Sequence, residues 1–223
     1  MKFVFQMQLN IKKNAMKNQI ITWMAILFTV PLIGQDSIRY TEGFQFNRGI
    51  YTSLQDFKSN NPVKPSDIIT DIDSSSPKFF QYLLAQENFR FPRNNEIVYM
   101  SPKEIFGYSD GSQVYYGAQY RFEVIGRICL LKEVDVVDSY SSFINPGDKY
   151  EAAREEGSGK LYILDFDTGA FFRCKPRKVE EIFQRDKALY REYENAGGKR
   201  KEKVLDFIKE YNFRRPVYFP KGK

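Results

Sequence analysis

The chain has 223 residues, with 34 Lys or Arg against 28 Asp or Glu and a net charge of +6. It has no histidine, which excludes Ser-His-Asp and Cys-His catalysis and the usual zinc sites. Residues 1–35 hold four bases (Lys2, Lys12, Lys13 and Lys17) and no acid, so the remainder carries 30 bases against 28 acids and lacks the basic excess of a nucleic-acid binder.

Residues 20–33 form an apolar run of 14 residues, preceded by Lys17 and followed by Gly34-Gln35-Asp36. A basic start, a short apolar core and a small residue at its end are the marks of an export signal. The run is too short to settle across a bilayer, which takes about 20 apolar residues. Residues 1–35 are therefore expected to be a signal peptide. Translation is read as starting at Met16, or at Met1 with a long n-region. Cleavage is expected after Gly34 or Gln35. Residues 36–223 are then one exported domain with no transmembrane span, working in the periplasm, at the cell surface or as a secreted protein. Its charge is uneven: residues 36–172 hold 14 bases and 20 acids, residues 173–223 hold 16 bases and 8 acids. An acidic body docking a basic helical tail accounts for this split, and so does a tail that meets an anionic surface.

Gly49-Ile50-Tyr51 leads into a short helix with Ser53 as cap and Asp56 three residues on, ended by Asn60-Asn61-Pro62. Residues 62–76 read as loop. Residues 79–91 are apolar and fit helix or strand, and are read as strand; 96–100 follow as another strand. Asp110-Gly111 between residues 104–109 and 112–116 predicts a hairpin, because Gly tolerates the positive φ of a tight turn. Residues 119–131 form the longest strand candidate, with Tyr120, Phe122, Val124, Ile128 and Leu130 at period two. Gly126 within it marks a bulge or a close contact. Residues 135–159 read as a long excursion. A second hairpin turns at Asp167-Thr168-Gly169. Val179, Ile182, Phe183, Leu189, Tyr190 and Tyr193 then keep helical spacing up to Gly197-Gly198. Val204, Leu205, Ile208 and Tyr211 mark a second helix. The fold class is α+β: a mainly antiparallel β-sheet body, residues 36–174, followed by a C-terminal helical hairpin, residues 176–213.

Three segments carry a resemblance. Gly49-Ile50-Tyr51 with Asp56-Phe57 and Asn60-Asn61-Pro62 resembles the opening of a group of uncharacterised exported proteins of the Bacteroidota. Ile105-Phe106-Gly107-Tyr108-Ser109-Asp110-Gly111 with Val114-Tyr115-Tyr116 is similar to their central hairpin, with Phe106 where that hairpin has Trp. Residues 161–169 and the helices after them are similar to their C-terminal part. The resemblance implies an exported protein of unknown function, with no catalytic residue to carry over.

Few motifs point to chemistry. Asp167-Thr168-Gly169 matches the triplet of aspartic proteases in a single copy, where a turn belongs. Asp71-Ile72-Asp73-Ser74-Ser75 starts like a calcium loop, but Ser76 and Tyr82 stand where Gly and a bidentate Glu are required, so no metal is assigned. No cofactor motif is present. Glu123 and Arg121 share the polar face of a strand and suit a cross-strand ion pair. Two readings stand for Cys129 and Cys174: a disulfide in an oxidising compartment, or two buried free thiols. The tyrosines of the central hairpin, Tyr108, Tyr115 and Tyr116, are the candidate ligand surface for a peptide or sugar, against strand packing as the alternative.

These readings converge on a non-catalytic binding or structural module of the cell envelope. The alternatives are a subunit of a larger envelope assembly that docks through its basic tail, and a carboxylate-based hydrolase. Candidate partners are an envelope protein, a peptide or a glycan.

Overall fold

The computed structural model describes residues 37–134, 160–200 and 202–221. The segment read as a signal peptide, with its expected start and cleavage points, and the excursion expected at 135–159 lie outside the described residues. The fold is α+β, as expected. Its centre is a seven-stranded antiparallel sheet of order β10-β9-β8-β7-β6-β5-β2. The strands are β2 (Gly49–Tyr51), β5 (Gly107–Ser109), β6 (Val114–Tyr116), β7 (Tyr120–Val124), β8 (Ile128–Glu133), β9 (Leu161–Asp165) and β10 (Phe171–Arg173). Two smaller sheets pair β1 (Ser37–Arg39) with β11 (Tyr218–Pro220), and β3 (Phe89–Arg93) with β4 (Glu96–Met100).

Both hairpins form where their turn residues stand. Between β5 and β6 the Asp110 carboxylate accepts from the N–H of Ser112 and of Gln113, at 2.8 and 2.7 Å, and Gly111 takes φ +98°. Asp167-Thr168-Gly169 turns β9 into β10. The short helix is α1 (Leu54–Lys58), and the Ser53 hydroxyl accepts from Asp56 N–H at 3.1 Å.

Three expectations are corrected. Residues 79–91 are not one strand: α2 (Phe79–Leu84) precedes β3. Phe79, Phe80 and Leu83 are all buried, a helical spacing, and alternation begins only at Phe89 and Phe91 with Arg90 exposed between them. Residues 119–131 are not one strand either. The chain turns through Ile125-Gly126-Arg127, and a register shift between Phe122 and Val124 sends the predicted face to both sides of the sheet. Finally, the helix expected through residues 179–193 is broken. α3 (Pro176–Phe183) and α4 (Lys187–Asn195) meet at Asp186, whose carboxylate caps α4 by accepting from Leu189 N–H at 3.1 Å. With α5 (Val204–Arg214) the described residues of the tail form three α-helices.

Gly126 is a place of close approach. A Cβ there would lie 2.4 Å from Asn212 Cγ. The Asn212 amide docks on Ile128 like a neighbouring strand: Oδ1 accepts from Ile128 N–H and Nδ2 donates to Ile128 C=O, both at 2.9 Å. This tie sets α5 on the edge of the β7–β8 turn. Gly126→Ala is expected to displace Asn212 and cost about 1–3 kcal/mol of stability, the range for inserting volume into a packed site. Chemical denaturation checks this, and Asn212→Ala in the same background should then add little.

The sheet is covered on both faces. On one face Val124, Ile128, Leu130 and Ile163 pack under α3, α4 and α5, through Val179, Ile182, Phe183, Leu189, Tyr193, Ile208 and Tyr211. The same face, at the β2–β5–β6 end, receives α2 and the β3–β4 hairpin on Ile50, Tyr108 and Tyr115. On the other face Tyr51, Phe122, Cys129, Leu131 and Leu164 meet α1, Phe46, Val217 and Phe219. Arg121 and Glu123 pair with each other along β7, Nη2 to Oε1 at 2.7 Å, and both are buried. They therefore make an i,i+2 pair in the interior, where a cross-strand pair on a polar face was expected. Among the described residues no helix is long and apolar enough to cross a membrane.

Candidate binding groove

The three candidate tyrosines do not make one surface. Tyr108 and Tyr115 are buried and stack at 4.5 Å with their planes 8° apart, and Phe80 of α2 closes over Tyr108 at 5.1 Å. Tyr116 points to the opposite face, half-buried, and stacks on Phe171 at 4.5 Å. Alternation along strands only three residues long separates neighbours in sequence, so the packing alternative describes them. Among the described residues the most exposed tyrosine is Tyr99, on β4, at 68 %.

Cys129 and Cys174 are free thiols. Cys129 is in register with Leu164 and packs on one face of the sheet, whereas Cys174 packs against the core of the other. The sheet stands between them, which keeps a disulfide from closing. Burial pushes the Cys129 thiol up to about 12 and that of Cys174 up to about 11.

The Asp-Thr-Gly turn is structural. Asp165, just before it, accepts four hydrogen bonds: from Arg185 Nη1 and Nη2 at 3.1 and 2.6 Å, from the Thr168 hydroxyl at 2.8 Å, and from Asp167 N–H at 3.0 Å. Asp167 pairs with Arg127 and stands 3.8 Å from Arg185. Each of these two neighbouring carboxylates thus faces a guanidinium. Burial opposes ionisation of Asp165, but the Arg185 and Thr168 hydrogen bonds outweigh it and hold the carboxyl below its usual range. In the 71–76 loop, Asp73 Oδ1 accepts from Ser75 N–H and hydroxyl at 2.9 and 2.8 Å, which lowers its pKa and occupies it locally.

A groove of about 960 Å³ opens where the end of α1, the start of β2, the 71–76 loop and the segment after β11 converge. Its wall is built from Asn60. After α1 the chain takes φ +46° at Asn60, a conformation Asn tolerates better than most residues. That turns the buried Asn60 side chain inward. Oδ1 accepts from the Tyr51 hydroxyl at 2.8 Å and from Asn47 N–H at 2.9 Å, while Asn47 Nδ2 donates to Asn60 C=O at 2.7 Å. Burial raises the pKa of the Tyr51 hydroxyl, so it stays a donor. Arg48 forms the floor. Its Nη1 donates to Ser74 C=O at 2.7 Å and Nη2 to Ser76 C=O at 3.2 Å, with the guanidinium 5.2 Å from the Phe80 ring centre. Lys64 and Lys221 are exposed on the rim, together with Asn61 and Ser66, and Ser59, Ser75, Pro65 and Pro220 complete the lining.

This lining has three cations, three amides, four hydroxyls and no carboxylate. Two acids stand just behind it, each occupied by a lining serine: Asp73 by Ser75, and Asp67 by the Ser66 hydroxyl at 3.1 Å. Amides and hydroxyls match the donors and acceptors of a polyhydroxylated ligand, and the cations match an anionic substituent. A second depression of about 730 Å³ lies between α3 and the turn after α4, but it carries both signs of charge, with Glu180 already 4.0 Å from Arg200. Among the described residues no group of His, Cys, Asp and Glu is placed to hold a metal ion. Sequence reading marks Asn60-Asn61-Pro62 only as a helix end. The groove joins residues up to 174 positions apart (Asn47 and Lys221), and no local pattern announces it. No protein-family model, curated protein or solved structure matches this chain.

Proposed function

We propose that this chain is a non-catalytic binding module that works outside the cytoplasm and holds an acidic saccharide in the groove around Asn60. The observation that carries the reading is the lining itself: a pre-ordered amide wall beside Arg48, Lys64 and Lys221, without a carboxylate. A volume of about 960 Å³ suits a ligand of two or three sugar units, at the upper end of the usual range for small-ligand sites. The export signal read at residues 1–35 supports a place among envelope glycans. The non-catalytic reading is supported by the arginine-locked pair Asp165 and Asp167.

Calorimetric titration tests it, with tetragalacturonic acid, glucose 6-phosphate and the neutral maltotetraose as probes. One acidic probe is expected to bind, and maltotetraose to bind at least tenfold more weakly. The rim variant Lys64→Ala with Lys221→Ala removes two exposed cations and should weaken the acidic probe by about tenfold, which corresponds to about 1.4 kcal/mol. Equal binding of the neutral probe, or a rim variant as good as wild type, defeats the reading.

A further inference from the structure

We propose that the chain forms a two-fold dimer by antiparallel pairing of β4 with β4 of a second copy. Independently of the groove, the turn of the β3–β4 hairpin fixes which backbone groups face outward. Asn94 and Asn95 have φ +53° and +65°, a two-residue turn closed by the Arg93–Glu96 pair. In such a hairpin, pairs that exchange both N–H···O bonds alternate with pairs that do not. Counting from the turn, Arg93–Glu96, Phe91–Val98 and Phe89–Met100 bond to each other. Pro92–Ile97 and Arg90–Tyr99 direct their N–H and C=O groups outward. One bond confirms the phase: Arg90 C=O, pointing away from β4, accepts from Ile69 N–H at 2.8 Å.

The two edges of the hairpin therefore differ. The β3 edge is closed, because Ile69 bridges Arg90 and Pro92 has no N–H to offer. The β4 edge carries the outward groups of Ile97 and Tyr99, which take no hydrogen bond from the described residues. Their side chains are exposed by 49 % and 68 %, while Arg93 ties the turn to the body through the Thr52 hydroxyl at 2.7 Å. A fixed, apolar, unpaired edge is what a monomeric sheet protein avoids.

The edge is complementary to itself. In antiparallel pairing centred on Val98, Ile97 stands opposite Tyr99 of the partner subunit, and Tyr99 opposite Ile97 of the partner subunit. Each pair joins two outward-bonding residues, so the two pairs together make four N–H···O bonds. Each is also an aromatic against a β-branched side chain, a favourable cross-strand combination. Glu96 falls opposite Met100 of the partner subunit, so no like charges meet. The pairing is isologous and uses the β4 edge of both copies, so through this contact the assembly closes at two and does not grow into a filament.

Sedimentation of the purified chain from micromolar to several hundred micromolar tests this. Wild type is expected to pass from monomer to dimer over that range. Tyr99→Pro removes one outward N–H per copy and no bond to β3, and Ile97→Lys places charge on the edge. Each should weaken the dimer at least tenfold while the melting curve of the dilute monomer keeps its midpoint. Hydrogen exchange supplies a readout that does not depend on the variants: the Ile97 and Tyr99 amides should become protected as concentration rises. Monomer at every concentration, a dimer indifferent to both variants, or assemblies larger than two would overturn the proposal.

Discussion

Phe57→Ala is expected to cost about 5 kcal/mol, the upper end of the range for emptying a buried aromatic site. The ring is fully buried and lies within 6.3 Å, centre to centre, of six others: Phe46, Tyr51, Phe106, Phe122, Phe166 and Phe219. Two of these, Phe46 and Phe122, stack on it nearly parallel, at 9° and 20°. Phe57 sits on a helix of five residues, too short to hold its shape without tertiary contacts. The void would therefore reach three elements at once: α1, β7 and the β11 strand that carries Phe219. It would also loosen Asn60, three residues along, and with it the groove wall. At roughly 2–4 °C per kcal/mol for a domain of this size, the midpoint should fall by about 10–20 °C. A thermal melt followed by circular dichroism checks this. Phe57→Leu, which keeps most of the volume, should recover more than half of the loss.

Asp165→Asn is expected to cost about 3 kcal/mol at neutral pH and to change how stability depends on pH. Its carboxylate is 2 % exposed and accepts four hydrogen bonds, two of them from Arg185. Removing the charge leaves the guanidinium without its closest partner, and hydrogen bonds to charged groups are among the costlier ones to lose. Arg185 stands between α3 and α4 and donates on to the strand end, so this pair fastens the helical layer to β9. The carboxyl titrates below its usual range in the folded chain. It therefore contributes its full stability above the unfolded-state value, about 3.9, and loses that contribution as pH falls through the lower folded value. Urea unfolding at a series of pH values should show wild type and variant differing most at neutral pH and converging in acid. A gap that stays constant down to pH 2 would mean that Asp165 contributes shape and not charge.

Local chemistry was legible in the sequence and tertiary geometry was not. The β5–β6 and β9–β10 hairpins follow from Asp110-Gly111 and from Asp167-Thr168-Gly169, where a turn-making carboxylate or hydroxyl stands next to a glycine with positive φ. The α1 cap follows from Ser53, and the close contact at Gly126 from a glycine inside a strand pattern. Residues 119–131 mislead because two strands joined by three residues keep one period-two pattern, Tyr120, Phe122, Val124, Ile128 and Leu130, with Gly126 in phase between them. The bulge after Phe122 is visible only in the register. The break at Asp186 hides in the same way, since α3 and α4 bury their faces in one core and the periodicity runs across the cap. For the tyrosines, exposure was the missing quantity. Aromatics gather on strands whether they pack inward, as Tyr108 and Tyr115 do, or face solvent, as Tyr99 does.

The most direct test of the groove as the binding site is an amide chemical-shift titration of the purified chain with the acidic probe that binds. Shifts are expected at the amides of residues 47–48, 59–61, 64, 66, 74–75 and 221, with about tenfold more probe needed to reach them in the Lys64→Ala with Lys221→Ala variant. Shifts confined to the depression between α3 and the turn after α4, or to the β3–β4 hairpin, would contradict it, as would a spectrum left unmoved by every acidic probe.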